Sequence, residues 1–351
     1  MLDLKQPGVG IAATALVIAI ALGFVSLFDF PTFTGWVADG LLCAIPIQIV
    51  MAVTWGGKQP AFAAGARPPL NGVLLTVGAL IVGTMVEAVL FVTVGGRVNP
   101  PAPMLAMYVI VAVVVTFWAA IVWGGWPFTT LIKNTVAAGL TMLVVCYAAN
   151  HALFRLFFDY GFMQGAPVYV PALDPHGLFN AWYALVFYVT ALAAMFLLVN
   201  FDLWPLTKFP GVMQQPVLGV VWTITLLVLA AAAFVVGVQL AGMDVVAFLV
   251  RVPVPFIFGT IVVQNMLQGS LFATLTQPVK GVMNVIAVVV IGTLLSRLYG
   301  ALAPVVTGVL APGPPSYDAE IWLASALLSV TFPFLIFFAE FFKFWPLKKS
   351  A

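Results

Sequence analysis

Ten stretches of this sequence run for about twenty residues or more with almost no charge, and only short connections separate them. They cover approximately 8–28, 36–54, 70–95, 104–124, 135–158, 178–200, 213–241, 244–268, 279–302 and 320–343. Each can cross a hydrocarbon layer of about 30 Å as a helix rising 1.5 Å per residue. Inside that layer no water satisfies a backbone N–H or C=O, so a crossing segment must be a helix or part of a closed barrel. Barrel strands alternate over about ten residues, whereas these runs are longer and apolar throughout. The expected fold is an all-α polytopic integral membrane bundle of about ten transmembrane helices, a single transmembrane domain over residues 1–351.

Composition agrees. The chain is 64% hydrophobic and 7% charged, where a soluble domain carries about 25% charged residues. The surrounding medium, and the first partner, is therefore the lipid bilayer. A net charge of +2 spread over dispersed cations argues against a nucleic-acid partner. The run at 8–28 is too long for the core of a signal peptide and reads as a retained first span. Cys43 and Cys146 lie inside apolar runs and suggest neither a disulfide framework nor a metal site.

One kind of connection recurs. Trp55-Gly56-Gly57-Lys58-Gln59-Pro60 leads to Asn71-Gly72, and Trp123-Gly124-Gly125-Trp126-Pro127 leads to Gly139. Phe201-Asp202-Leu203-Trp204-Pro205 leads to Gln215-Pro216-Val217-Leu218-Gly219. Thr276-Gln277-Pro278-Val279-Lys280-Gly281 opens another span, and Phe344-Trp345-Pro346 lies near the C-terminus. The glycines at 72, 139, 219 and 281 recur at about the length of two spans plus loops, which predicts four tandem helical hairpins closing on one membrane face. Aromatic belts give Trp-Pro at membrane edges without common ancestry, and that is the competing explanation.

Loop cations orient the chain. Lys5, Lys58, Arg67, Lys133, Lys208, Lys280, Lys343, Lys348 and Lys349 fall on one face. Arg97, Arg155 and Arg297, with most acids, fall on the other. The positive-inside rule then places both termini in the cytoplasm of a cell whose inner membrane holds the protein.

Charges in hydrocarbon cost a few kcal/mol and are expected to face inward and find partners. Glu87, His151, Arg155 and Arg251 fall at comparable depth, with Asp159 one turn beyond Arg155. The expected pairings are Glu87 with Arg251 or with Arg155. Interhelical ties and snorkelling are the structural alternatives, the latter favoured for Arg155 and Asp159. Pro253 and Pro255 should break the eighth span, turning its polar residues Gln264 and Asn265 toward the bundle interior. Gln48, behind Pro46, is a further pathway candidate. Asp39 stands either at an external mouth or as an interfacial cap. Asp202 and Glu340 are expected to pair with Lys208 and Lys343.

No phosphate-binding GxxxxGK[ST], HExxH or GxSxG motif is present, and two histidines are too few for multi-histidine metal or bis-haem sites. No cofactor and no metal are expected. The leading functional reading is a permease moving a small polar or anionic solute, with proton coupling through Glu87 or His151 and attraction by Arg251. The alternative is an anchor subunit whose loop-poor flanks are covered by other membrane subunits or a second copy. A membrane enzyme using Glu87, His151, Asp174 and His176 is the weakest reading, because nothing at chemical spacing supports it.

Overall fold

The structure, a computed structural model, describes residues 5–101, 103–166 and 169–348; Lys349 lies outside them. Among the described residues ten helices are long and apolar enough to cross a membrane: α1 (Gly8–Val25), α2 (Phe30–Thr54), α3 (Leu70–Thr93), α4 (Pro103–Val122), α5 (Thr135–Phe157), α6 (Ala181–Asn200), α7 (Val217–Leu240), α8 (Val245–Met266), α9 (Val279–Val306) and α10 (Asp318–Phe341). Val- and Ile-rich segments are helical here because only a helix satisfies its own backbone in lipid.

The even-numbered helices are 56–78% buried over their most apolar stretch, the odd-numbered ones 17–44%. This reflects two concentric layers. Helix α2 touches α4, α4 touches α6, α6 touches α8, α8 touches α10, and α10 returns to α2, making an inner ring of five. Each outer helix sits over two inner ones: α3 over α2 and α10, α5 over α4 and α2, α7 over α6 and α4, α9 over α8 and α6, and α1 over α10 and α8. The repeating unit is an inner helix followed by an outer one. Four units are consecutive hairpins; the fifth is α10 paired with α1, the two ends of the chain.

Each inner helix ends in the same turn, with two residues in the left-handed region: Gly56 and Gly57, Gly124 and Gly125, Asp202 and Leu203, Gln268 and Gly269, Lys343 and Phe344. Where glycine fills the position the conformation is free of the Cβ clash that costs other residues about 1–2 kcal/mol. Four inner helices enter the turn through a π-helical segment: Val50–Thr54, Trp118–Val122, Val262–Met266 and Phe337–Phe341. Helix α6 remains α-helical to Asn200 and is one residue shorter at that point.

The outer helices lock these ends together. Prolines 7, 69, 216 and 278 stand just before α1, α3, α7 and α9, each followed three residues on by Gly10, Gly72, Gly219 or Gly281. Helix α5 begins instead on Asn134, whose side chain accepts from Ala137 N–H, and carries Gly139. A methyl group at any of the five glycines would come within 3.0 Å of the inner helix of the preceding unit: Gly10 meets Leu267, Gly72 Phe342, Gly139 Trp55, Gly219 Trp123 and Gly281 Phe201. Polar ties flank the seam. Gln6 Nε2 donates to Met266 O and Gln215 Nε2 to Val122 O, each at 2.9 Å, and Trp55 Nε1 donates to Thr135 O at 2.9 Å. The four hairpins expected from the sequence are present, and α10 with α1 adds a fifth equivalent unit that is not a hairpin along the chain. That fifth unit was hidden because its two helices stand at opposite ends of the chain instead of side by side in sequence.

The turn face carries both ends of the helical bundle and the recurring turns. The opposite, loop face carries the longer connections, including a short parallel pairing of Phe158–Asp159 with Phe179–Asn180. On the turn face Asp202 accepts from Lys280 Nζ and Gln277 Nε2, both at 2.8 Å, rather than pairing with Lys208, which lies 5.4 Å from the Trp204 ring centroid. Glu340 pairs with Lys343 as expected. Desolvation pushes the Asp202 carboxyl up, but the bonds from Lys280 and Gln277 and the lysine charge outweigh it and hold the carboxyl below its usual range.

Two outcomes follow from this seam. Gly281→Ala should lower thermal stability by about 1–3 kcal/mol through overpacking, and adding Phe201→Leu should recover part of the loss. Unmasking of buried Cys43 and Cys146 to a thiol dye on heating reports both. Asp202 contributes stability above its unfolded value of 3.8 and loses it as pH falls further. Wild type should therefore lose more of its midpoint between pH 5 and pH 3 than Asp202→Asn, by under about 1 kcal/mol for so exposed a pair.

Candidate functional site

The inner ring surrounds a cavity of about 910 Å³. Its lining runs from the loop face, at Phe30, Pro100, Phe162 and Pro315, down to Phe117 and Phe332. The side chains come in layers, one from each inner helix. Leu42, Ile110, Val189, Val254 and Ser329 form one layer, and Ile45, Val113, Leu192, Ile257 and Phe332 the next toward the turn face. A turn further on, at the same register, stand Ile49, Phe117, Phe196, Ile261 and Ile336, all buried. The Phe117 ring meets Phe196 at 5.5 Å and Phe332 at 6.1 Å, giving the cavity an aromatic floor.

Among the described residues the charged side chains in the wall are Asp39, Asp318 and Glu320, the last two in the first turn of α10. Asp39, near the loop-face end of α2, lines the cavity, is 2% exposed, and has a carboxylate oxygen with no hydrogen-bond partner. Gly40 leaves room behind it for Glu87 of α3, whose Oε2 would lie 2.8 Å from a Cβ at position 40 and whose Oε1 is likewise buried and unpartnered. Asp39 is therefore a lumen residue rather than a cap.

Aromatic and acidic groups shape the mouth. Tyr317 donates from its hydroxyl to Asp244 Oδ2 at 2.8 Å and packs edge-on to Trp182 at 5.9 Å. Asp244 also caps α8 by accepting from Val246 and Ala247 N–H. Desolvation, with the hydrogen bond to Asp244, pushes the Tyr317 phenol up to about 12. Beside the mouth, Asp174 accepts from Tyr160 N–H, His176 N–H and the Tyr169 hydroxyl. Its carboxylate, that of Asp159 and the His176 ring lie within 4.8 Å of one another. This knot folds the 158–180 connection.

Several expected pathway residues lie elsewhere. Arg251 ends the first segment of α8 and is exposed, yet it does not line the cavity, so it points outward from the ring. His151 and Arg155 are exposed on α5, with His151 edge-on to Tyr108 at 6.2 Å. Among the described residues no arginine forms a salt bridge, so neither Glu87–Arg251 nor Glu87–Arg155 exists. The long, weakly hydrated guanidinium can reach the interface from the outer surface, whereas an inward arginine would have had to fill the lumen.

The break in α8 is present: Val245–Arg251 and Pro253–Ile261 are separate helical segments joined at Val252, with φ −119° and ψ −76°. The polar groups beyond it form ties between helices. Gln264 Nε2 donates to Asn200 Oδ1 at 2.8 Å. Asn200 Nδ2 in turn donates to Phe196 O at 2.8 Å and Thr260 Oγ1 at 3.3 Å, and Asn284 Nδ2 reaches Asn200 O at 3.4 Å. Asn265 is half-buried beside this hub. Gln48 donates to Pro333 O at 2.9 Å, tying α2 to α10, and does not line the cavity. Asn200 and Asn284 were not singled out from the sequence, where Asn200 resembles an ordinary helix-end residue before the Phe201 turn.

The arrangement defines a multi-pass membrane protein of ten helices around an axial, loop-face cavity. No family model matches the chain, and neither a curated protein nor a solved structure matches it.

Asn200→Ala removes the acceptor for half-buried Gln264 and should cost about 1–3 kcal/mol in thermal stability. Arg251→Ala, outside the ring, should leave the midpoint within about 0.5 kcal/mol of wild type. The same thiol-unmasking melt separates the two.

Proposed function

We propose that this protein is a permease of the cell inner membrane, with its turn face and both termini cytoplasmic. It would move a small solute along the axis of the inner ring by exposing the lumen alternately to the two sides. The observation that carries this reading is the axial cavity itself, reached from the loop face and stopped short of the turn face by Phe117, Phe196 and Phe332. The inner helices also have points at which they can bend. Helix α8 is broken at Val252, and four of the five inner helices carry π-helical segments at their turn-face ends. Interrupted helices lining a cavity are the usual movable parts of secondary transporters, and π-segments often mark functional sites.

Proton coupling belongs in this reading to Asp39 and Glu87 rather than to His151, which is exposed on outer helix α5. A lumen carboxyl can hold either a proton or a solute group, and exchange between them links the two fluxes. An anionic solute loses its proposed partner because Arg251 lies outside the ring. An anchor subunit would have no use for a lumen that changes sides.

Ser329 provides a test that needs no knowledge of the solute. In a chain with Cys43 and Cys146 replaced by alanine, Ser329→Cys should react with an impermeant thiosulfonate from the loop face. In inside-out vesicles it should also react, more slowly, from the turn face. Labelling from the loop face alone contradicts a permease and favours an anchor.

A further inference from the structure

We infer that the lumen is built for an organic cation: a molecule with an apolar body and a single positively charged group. This rests on the permease reading and names its class of solute. Three features support it together. The wall is lined at every layer by aliphatic side chains, such as Leu42, Ile110, Val254 and Leu192, so the body of the ligand must be apolar. The charged residues that line it among the described residues are Asp39, Asp318 and Glu320; no lysine, arginine or histidine is among them. Of these, Glu320 is engaged, accepting from Gly313 N–H, whereas Asp39, in the cavity wall, is almost wholly buried and has a carboxylate oxygen without a partner.

A buried carboxylate without a partner is costly, and a cation arriving from water supplies the missing charge. Glu87, on α3 behind Gly40, adds a second unpartnered carboxyl oxygen outside the wall, and it forms no salt bridge with a basic side chain. The aromatic rings of Trp182 and Tyr317 at the mouth, and of Phe117 and Phe332 at the floor, offer π faces that favour a cation and disfavour an anion. An anion of equal size and shape would meet three acids and no base.

Tetraphenylphosphonium and tetraphenylborate share one shape and carry opposite charge. Binding of each to the purified full-length protein in detergent, with non-saturable uptake subtracted by excess unlabelled ion, tests the inference directly. The phosphonium should bind saturably and the borate at least about tenfold more weakly. Asp39→Asn should weaken phosphonium binding by at least about tenfold while the thermal midpoint is kept, and Ser329→Trp, which fills the lumen without altering charge, should abolish it. Equal binding of the two ions, or full phosphonium affinity in a folded Asp39→Asn protein, overturns the inference. The ion comparison in wild type needs no variant, so a misfolded mutant leaves it decisive. Two-sided labelling of Ser329→Cys without a preference for the phosphonium leaves a permease of another class of solute. Phosphonium preference with one-sided labelling leaves a cation site without transport.

Discussion

Everything in this fold depends on how closely each outer helix approaches the end of the inner helix in the preceding unit. Five glycines, at 10, 72, 139, 219 and 281, make that approach possible by removing the Cβ that would strike Leu267, Phe342, Trp55, Trp123 or Phe201. In lipid no hydrophobic force draws helices together, because tails are as apolar as side chains. Close packing of small residues and a few interhelical hydrogen bonds take its place. The same contact repeated five times turns a row of hairpins into a closed ring. The lumen follows from closure: five inner helices of this girth leave a gap on their axis that their own aliphatic side chains do not fill.

Closure also explains why the first and last helices matter to each other. Helix α1 supplies to α10 what α3 supplies to α2, so the two ends of the chain together make one unit. Gln6, reaching Met266 O, is the counterpart of Gln215 reaching Val122 O. The polar hub at Asn200 is where α6 departs from the common pattern: it lacks the π-segment and instead gathers Gln264 and Thr260 on the Asn200 side-chain amide and Asn284 on its main-chain carbonyl. A helix end that differs from four equivalents is held by hydrogen bonds that the others do not need.

Much of the architecture was legible in the sequence. Spans, turn chemistry, the break in α8 and the Glu340–Lys343 pair all lie along the chain, where depth follows from counting residues. Rotation about each helix axis was not legible. In a bilayer protein both the inner and outer faces are apolar, so the 3.6-residue periodicity that marks the core face of a soluble helix is largely erased. That is why Arg251 and Glu87 could be placed at similar depth yet wrongly joined, and why Asp39, one residue from a glycine near a span end, looked as much like a cap as a lumen residue. The lumen layers are unreadable for the same reason: Leu42, Ile110, Val189 and Val254 are ordinary aliphatics until the ring is closed.

The central claim is that one residue from each inner helix shares a single axial cavity. A cysteine scan tests it, with Leu42, Ile110, Val189, Val254 and Ser329 changed one at a time and probed by a cationic thiosulfonate from the loop face. All five should react at comparable rates, while native Cys43, one position from Leu42 and buried, stays silent. Reaction along one helix only, or at none of the five, would contradict the ring and everything derived from it.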